Sequence, residues 1–198
     1  MSDPYTSPPN VERSSLGNAI TVTLLLFLVA MIVGWIGTAR DPTIGNDLLV
    51  MFQKEIAGQI TIGNPFDMCV NLFANNLEAC IMLFLGGASF GILTMVILSL
   101  NGIVIGAITE IISHGHPAIF IAAAILPHGI FEIPAFIIAA ALGFLMAQSL
   151  IAEWYGAADT AADAGRLARL FLLYVLPLIT VAALVEAFIT PAVIQLVA

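Results

Sequence analysis

Long apolar stretches separated by short polar breaks occupy most of this 198-residue chain. The first, Ala19 to Ile36, is about as long as a helix must be to cross the roughly 30 Å hydrocarbon core of a bilayer. The stretch from Met68 to Ser113 is too long for one span, and further stretches follow at 129–151 and 168–197. This pattern predicts an all-α integral membrane fold, a polytopic helical bundle of about five spans, within a range of about four to six.

The middle of the chain predicts helices that are interrupted at membrane depth. Asn101-Gly102 is a turn signal within the long apolar stretch, and Pro127-His128-Gly129 is expected to open the next helix. The segments between them, 103–112 and 118–126, are too short to cross a bilayer comfortably. We therefore predict a broken or re-entrant helical hairpin that is shielded from lipid, because irregular backbone is tolerated there only against protein or water.

Two polar segments lie outside the apolar stretches. Residues 1–17 contain three prolines and predict a polar N-terminal arm. Residues 40–66 mix charged residues with apolar ones at every fourth position from 48 to 60, which predicts an amphipathic segment in the membrane interface or on the bundle. Neither is large enough for a soluble domain, so residues 1–198 are expected to form a single transmembrane domain in a multi-pass protein of the cell membrane.

The composition supports a membrane protein and argues against several other classes. Hydrophobic residues make up 61% of the chain and charged residues 9%, against roughly 25% charged in a soluble domain. The net charge of −8 argues against nucleic-acid binding, which needs clustered Lys and Arg. The chain holds no nucleophile with an evident base, no phosphate loop and no hydrolase motif, so we expect neither enzymatic activity nor a cofactor.

Polar side chains inside the spans are the most informative residues, because a charged group costs roughly 2.5 kcal/mol or more at the bilayer centre. Asn71, Asn75 and Glu78 form one stripe on a helix, and Asn76 points elsewhere. The stripe fits a polar pathway or ion site, a network of inter-helical hydrogen bonds, or a helix start at the wet interface. The polar intramembrane set is Asn75, Asn76, Glu78, Asn101, Glu110, His128, Glu132 and Glu186.

His128 and Glu132 stand four residues apart and can touch on one helical face. They fit a structural hydrogen bond that caps a broken helix, or a proton or ion relay. No metal is expected, and His114, His116 and His128 are the candidate ligands if one binds. Glu186 lies in the last span, where an unpaired carboxylate is costly, so it is expected to face the bundle interior with His128 or an asparagine as its partner.

Glycines recur at the spacing that lets membrane helices approach closely. Gly87 and Gly91 form one GxxxG pair, Gly102 and Gly106 form another, and Glu110 continues the second stripe. Such pairs serve either tight packing within the bundle or contact between copies in a homo-oligomer.

Several of these features occur together in one known family. The chain resembles the stage II sporulation protein M family over roughly residues 75–191, and the run from His128 to Ala135 is the most specific part of the match. The other matching features are Asn75-Asn76, Gly87, Gly91, Asn101-Gly102, Gly106, Gly143, Glu186-Ala187 and Thr190-Pro191. In spore formers, members of this family resemble the membrane anchor of a complex that remodels peptidoglycan during engulfment, and the family also occurs in microbes that do not sporulate.

Two functions follow as the main hypotheses, and a third, a membrane metalloenzyme, would need His114, His116, His128 and a carboxylate to converge. The resemblance implies a non-enzymatic membrane scaffold that recruits partners or remodels the membrane or envelope. Its expected partners are the lipid bilayer, other copies in a homo-oligomer, and other membrane or envelope proteins. The alternative is a small-solute or ion transporter or channel that uses the intramembrane histidine and glutamates, because transporters often place their sites at interrupted helices.

Overall fold

The computed structural model describes residues 14–43, 45, 47, 50, 64–115 and 117–196, with only the backbone described at 121, 124, 125 and 128. These residues form helices and connecting turns, and no strand occurs among them. The N-terminal arm up to residue 13 and most of the predicted amphipathic segment 40–66 lie outside the described residues. The helices are α1 Leu16–Arg40, α2 Pro65–Leu85, α3 Ile92–Gly115, α4 Ala118–Trp154, α5 Thr160–Leu170, α6 Leu176–Phe188 and α7 Thr190–Gln195.

Five helical stretches are long and apolar enough to cross a membrane, which confirms the predicted polytopic bundle of about five spans. The stretch within α4 is the most enclosed, because the rest of the protein buries 50% of it, against 22% to 33% of the others. The fourth helix is therefore the centre of the bundle. The five stretches are Leu16–Arg40, Pro65–Ser89, Ile92–Gly115, Gly129–Trp154 and Thr160–Phe188, the last of which includes the π-helical turn Phe171–Val175.

Side-chain caps fix where three of the helices begin. Ser15 Oγ accepts a hydrogen bond from the Asn18 N–H at 3.2 Å at the start of α1. Asn64 Oδ1 accepts one from the Phe66 N–H at 3.0 Å before α2, and Asp159 caps α5 in the same way. These caps satisfy N–H groups that have no partner within the helix, so the polar residues at the ends of apolar stretches set the helix boundaries.

The predicted break at Asn101-Gly102 is wrong, because α3 runs through both residues without interruption. The Asn101 amide donates to the carbonyl oxygen of Ile97 in the preceding turn at 2.9 Å. Gly102 packs against α1, where the methyl group of Ala30 lies 2.7 Å from the position that a Cβ on Gly102 would take. Close packing on a neighbouring helix thus outweighs the turn preference of the Asn-Gly pair.

The chain instead reverses direction between α2 and α3. A 3₁₀ turn, Gly86–Ser89, is followed by Phe90 at φ 56° and Gly91 at φ 82°, both in left-handed backbone that ends a helix. The Thr94 hydroxyl, which is fully buried, donates to the Leu83 carbonyl at 2.8 Å. This hydrogen bond joins the end of α2 to the start of α3 and holds the two helices antiparallel.

The fourth helix is continuous from Ala118 to Trp154 and carries Pro127 and Pro134 in its interior, so the prediction that Pro127-His128-Gly129 opens a helix is wrong. Prolines are tolerated inside membrane helices, because neighbouring groups satisfy the carbonyls that they leave unpaired. The short segments 103–112 and 118–126 are the last part of α3 and the first part of α4. Re-entry of residues 118–126 into the membrane stays a prediction.

The first and third helices lie side by side with their backbones in contact. A Cβ on Gly34 would collide with the carbonyl oxygen of Ile103, and one on Gly106 would collide with that of Met31. Two helices can approach this closely only where one of them has no side chain. The contact therefore fixes both the separation and the lengthwise register of α1 and α3.

This contact predicts opposite effects for two glycines of α1. Gly34→Ala is expected to destabilise the protein by about 1–3 kcal/mol or more, because the added methyl group must displace the α3 backbone. Gly37→Ala is the matched control, since a Cβ there meets nothing within 4 Å, and it is expected to be neutral or to stabilise by roughly 0.5–1 kcal/mol. Thermal unfolding of the purified variants in detergent measures both changes, and an equal loss in the two variants would contradict the packing described.

Candidate functional site

A group of polar side chains lies within the bundle where α2, α4 and α6 meet. Asn76 and Cys80 of α2 are 6% and 0% exposed and share one face of that helix. The carboxyl group of Glu132 on α4 lies within electrostatic range of the Cys80 thiol and of the carboxyl group of Glu186 on α6. We call these four residues the core polar cluster.

The cluster continues the apolar core toward one end of the bundle. Glu132 lies one turn before Ala135 and Phe136, which pack with Cys80 in the main core. Glu186 lies one turn after Ala182, which is fully buried. Small and apolar residues on α4 and α6 therefore bring two carboxyl groups together as a consequence of ordinary core packing.

The predicted interior position of Glu186 agrees with this geometry, since its side chain is half-buried. Glu132 lies within electrostatic range of Glu186, and a partner of Glu186 among His128 and the asparagines stays a prediction. The side chain of His128 lies outside the described residues, so the predicted contact between His128 and Glu132 stays a prediction. The two carboxyl groups lie within electrostatic range of each other, so the charge of one affects the ionisation of the other.

Two residues of the predicted stripe on α2 lie outside the cluster. Asn75 and Glu78 are exposed on the outward side of the helix, whereas Asn76 is buried on the inward side. The stripe is therefore not a polar pathway through the interior of a single chain. Asn71, at the start of the same stripe, is half-buried.

The polar residues of α3 form a separate pair near the end of that helix. Glu110 is 5% exposed, and its carboxylate lies 3.4 Å from Nδ1 of His114, four residues later. The Glu110 carbonyl also accepts a hydrogen bond from the Ser113 hydroxyl at 2.6 Å. Asn101 is bonded to its own helix, as described above. None of these residues takes part in the core polar cluster.

Of the three candidate metal ligands, only the side chain of His114 lies within the described residues. The side chain of His114 is 75% exposed and lies beside Glu110. His116 and the side chain of His128 lie outside the described residues. Across residues 14–115 and 117–196, as far as they are described, no three His, Cys, Asp or Glu side chains could hold a metal ion together.

The four glycines singled out in the sequence all contact other helices of the same chain. Gly102 and Gly106 face α1, as described above. A Cβ on Gly87 would collide with the carbonyl oxygen of Gly143 in α4, and Gly91 lies against the ring of Phe144. The glycine faces therefore serve packing within the bundle in the described structure.

Two polar contacts at the other end of α4 were not predicted. The Ser149 hydroxyl, 1% exposed, donates to the Asp163 carboxylate at 2.7 Å, and Arg166 pairs with the other oxygen at 3.3 Å. The backbone N–H of Ser14 donates to Gln148 Oε1 at 3.0 Å and links α1 to α4. Asp163 and Arg166 stand three residues apart on one helical turn, so their spacing in the sequence indicates an ion pair. Nothing in the sequence identifies Ser149 as a partner of Asp163.

A cavity of about 270 Å³ lies near this second contact, between α1 and α4. It is about 18 Å along α4 from Glu132, given twelve residues at about 1.5 Å each. No residue of the core polar cluster lines it. The lining residues are Ser14, Asn18, Ala19, Val22, Leu26, Phe90, Phe144, Ala147, Gln148 and Ile151.

Comparison with known proteins shows where this bundle belongs. The family model described as stage II sporulation protein M matches residues 23–191, which is most of the chain. The protein belongs to the stage II sporulation protein M family. An uncharacterized protein of Methanocaldococcus jannaschii is 31% identical over 176 residues, which cover 87% of this chain and 93% of that relative. No solved structure matches the chain.

The stage II sporulation protein M match extends from α1 into α7 and includes the core polar cluster and the exposed residues of α2. It confirms the resemblance noted from the sequence and identifies an integral membrane protein with several spans. Neither the family description nor the relative's name assigns a reaction or a substrate.

The proximity of the two glutamates predicts the effect of removing one charge. Glu132→Gln keeps the size of the side chain and is expected to raise Tm at pH 8, because two ionised carboxyl groups in an apolar surrounding repel each other. The gain should be about 2–4 °C for each kcal/mol of relief. Glu153→Gln, at the exposed end of the same helix, is the control and should leave Tm unchanged. A marked fall in Tm for Glu132→Gln would mean that its carboxylate makes a required structural contact.

Proposed function

We propose that this family member is a non-enzymatic scaffold of the cell membrane that recruits partners or remodels the membrane or envelope. Its expected partners are lipid, further copies of the same chain, and other membrane or envelope proteins. The observation that carries the proposal is that the core polar cluster and the cavity between α1 and α4 lie in different parts of the bundle. Asn76 and Cys80 of the core polar cluster are buried, Glu132 and Glu186 are half-buried, and none of the four lines the cavity between α1 and α4.

Rigid packing supports the same proposal. Helix backbones are in direct contact between α1 and α3 and between α2 and α4. A transporter of the alternating-access type needs groups of helices that move against each other around a central site. Backbones that interlock through glycines resist such movement, whereas a platform for partner proteins benefits from a fixed outer surface.

A second candidate function is ion or proton transport, and one observation favours it. Glu132 and Glu186 place two carboxyl groups together at membrane depth, a position where ionisable groups often mark ion pathways. Transport would require that water or an ion reach this pair from both sides of the membrane.

A flux assay separates the two functions. Wild-type protein, Glu132→Gln, Glu186→Gln and the control Glu153→Gln are reconstituted into liposomes, and proton and common-ion fluxes are followed with internal dyes. If the protein is a scaffold, every sample is expected to show the same proton and ion fluxes as empty liposomes. Flux in the wild type and the control that disappears in Glu132→Gln and Glu186→Gln, with all variants folded, would replace the scaffold by a transporter and identify the carboxyl pair as its site.

The scaffold proposal also makes a positive prediction. Cross-linking in intact cells, followed by native electrophoresis, is expected to place the protein in a complex larger than a single chain. The same complex should form with Glu132→Gln and Glu186→Gln, because a scaffold uses its outer surface rather than its core. A protein that stays a free monomer in cells would contradict the scaffold role.

A further inference from the structure

The outward side of α2 carries a stripe of residues, most of which are exposed. Asn75 and Glu78 are exposed, and so are Met82 at 42% and Leu85 at 56%. Together with the half-buried Asn71, these residues recur at intervals of four, three, four and three along the helix. We call this set the outer seam. Its spacing is that of the a and d positions of a coiled coil, which face a partner helix.

The inward side of α2 supports this assignment of faces. Asn76, Cys80 and Leu83 are 6%, 0% and 1% exposed and pack toward α4 and α6. In the heptad that places Asn75 at an a position, these three residues take the b and f positions, which lie opposite the a and d face. The outer seam therefore points directly away from the rest of the described bundle.

The depth of the seam makes an uncovered state costly. Asn75 and Glu78 lie near the middle of the 25-residue span Pro65–Ser89. A carboxyl group and an amide facing hydrocarbon at that depth are strongly unfavourable, and such groups turn toward a polar partner. Neither side chain makes a hydrogen bond or an ion pair with any residue in the described part of the chain. These two side chains therefore need a polar partner from outside the described part of the chain.

We infer that the outer seam is the interface with a second copy of this chain, in which the two α2 helices run parallel. This inference rests on the homo-oligomer in the proposed function and identifies its surface. An amide both donates and accepts hydrogen bonds, so Asn75 can pair with Asn75 of the second copy or donate to its Glu78. Copies that insert the same way present parallel α2 helices, and a single Asn at an a position fixes the register of parallel pairs.

Two further features favour a second copy. Ala74 and Ala79 flank the polar positions of the seam, and small residues there allow two membrane helices to approach within hydrogen-bonding distance. The GxxxG faces, which otherwise serve as contact surfaces between membrane proteins, are already used inside the chain, as described for Gly87 and Gly106. In the described structure, the outer seam is thus a polar face of a membrane span that remains available for contact with another chain.

Cysteine cross-linking in liposomes tests the inference. Cys69→Ala removes the half-buried thiol, and Cys80, which is fully buried, remains in every variant. Met82→Cys places a thiol on the seam and leaves Asn75 and Glu78 intact, while Val70→Cys, exposed at 48%, places one at a c position of the same helix. Mild oxidation is expected to yield a disulfide-linked dimer from Met82→Cys and none from Val70→Cys or from the background.

A second variant tests the polar contact itself. Asn75→Leu in the Met82→Cys background is expected to weaken dimerisation roughly tenfold, seen as loss of the cross-link at low protein-to-lipid ratio. Leucine is favourable in lipid, so this variant stays folded, which its Tm in detergent confirms. An unchanged cross-link in Asn75→Leu would overturn the role of the amide.

The oligomeric state of the wild type, from single-molecule photobleaching in liposomes, distinguishes the remaining outcomes. Dimers that cross-link at Met82→Cys support the inference. Dimers that fail to cross-link at Met82→Cys would show that the outer seam is not the interface, while the homo-oligomer itself would stand. Monomers at every protein-to-lipid ratio overturn both the seam interface and the homo-oligomer. They indicate that a different membrane protein covers α2, an outcome that is compatible with a scaffold that does not self-associate.

Discussion

The contact between the backbones of α1 and α3 is the constraint on which the rest of the bundle depends. At Gly34 and Gly106 the helices meet without an intervening side chain. Because this contact fixes α3, it also fixes the turn at Gly86–Gly91 and so the position of α2 against α4. A second glycine contact, between Gly87 and Gly143, holds that pair. The arrangement of the helices is thus set by the glycine positions, where no side chain separates the backbones, rather than by large side chains.

This packing sorts the polar residues of the spans into two populations with different roles. Residues of the core polar cluster lie toward the interior, where the carboxyl groups of Glu132 and Glu186 are within electrostatic range of each other. Asn75 and Glu78 of the outer seam face outward, and neither makes a hydrogen bond or an ion pair with the described residues. A membrane protein that retains polar groups on an outward face bears a free energy cost that assembly with a polar partner relieves. The inferred contact between two copies of the chain depends on the second population.

The sequence pattern predicted the helical membrane fold, the number of spans and the family, because these depend on long apolar stretches and short local motifs. It misplaced both interruptions, at Asn101-Gly102 and at Pro127-His128-Gly129, because packing by neighbouring helices overrides local turn signals. Periodicity also found the stripe of Asn75 and Glu78 on α2. It could not assign that stripe to the outside, because apolar residues surround the helix and either face could have been buried. The proximity of Glu132 and Glu186 depends on tertiary structure alone.

The described residues contain five candidate spans, an odd number, so the first span begins and the last span ends on opposite membrane faces. The start of α1 lies beside Gln148 near the end of α4, on the same membrane face as the Gly86–Gly91 turn. The end of α6 lies on the other face, since it follows Glu186, which neighbours the early part of α4. A component attached near Leu16 and one attached near Gln195 therefore occupy different compartments. Such a molecule can hold components on both sides of a membrane together without any movement of its own helices.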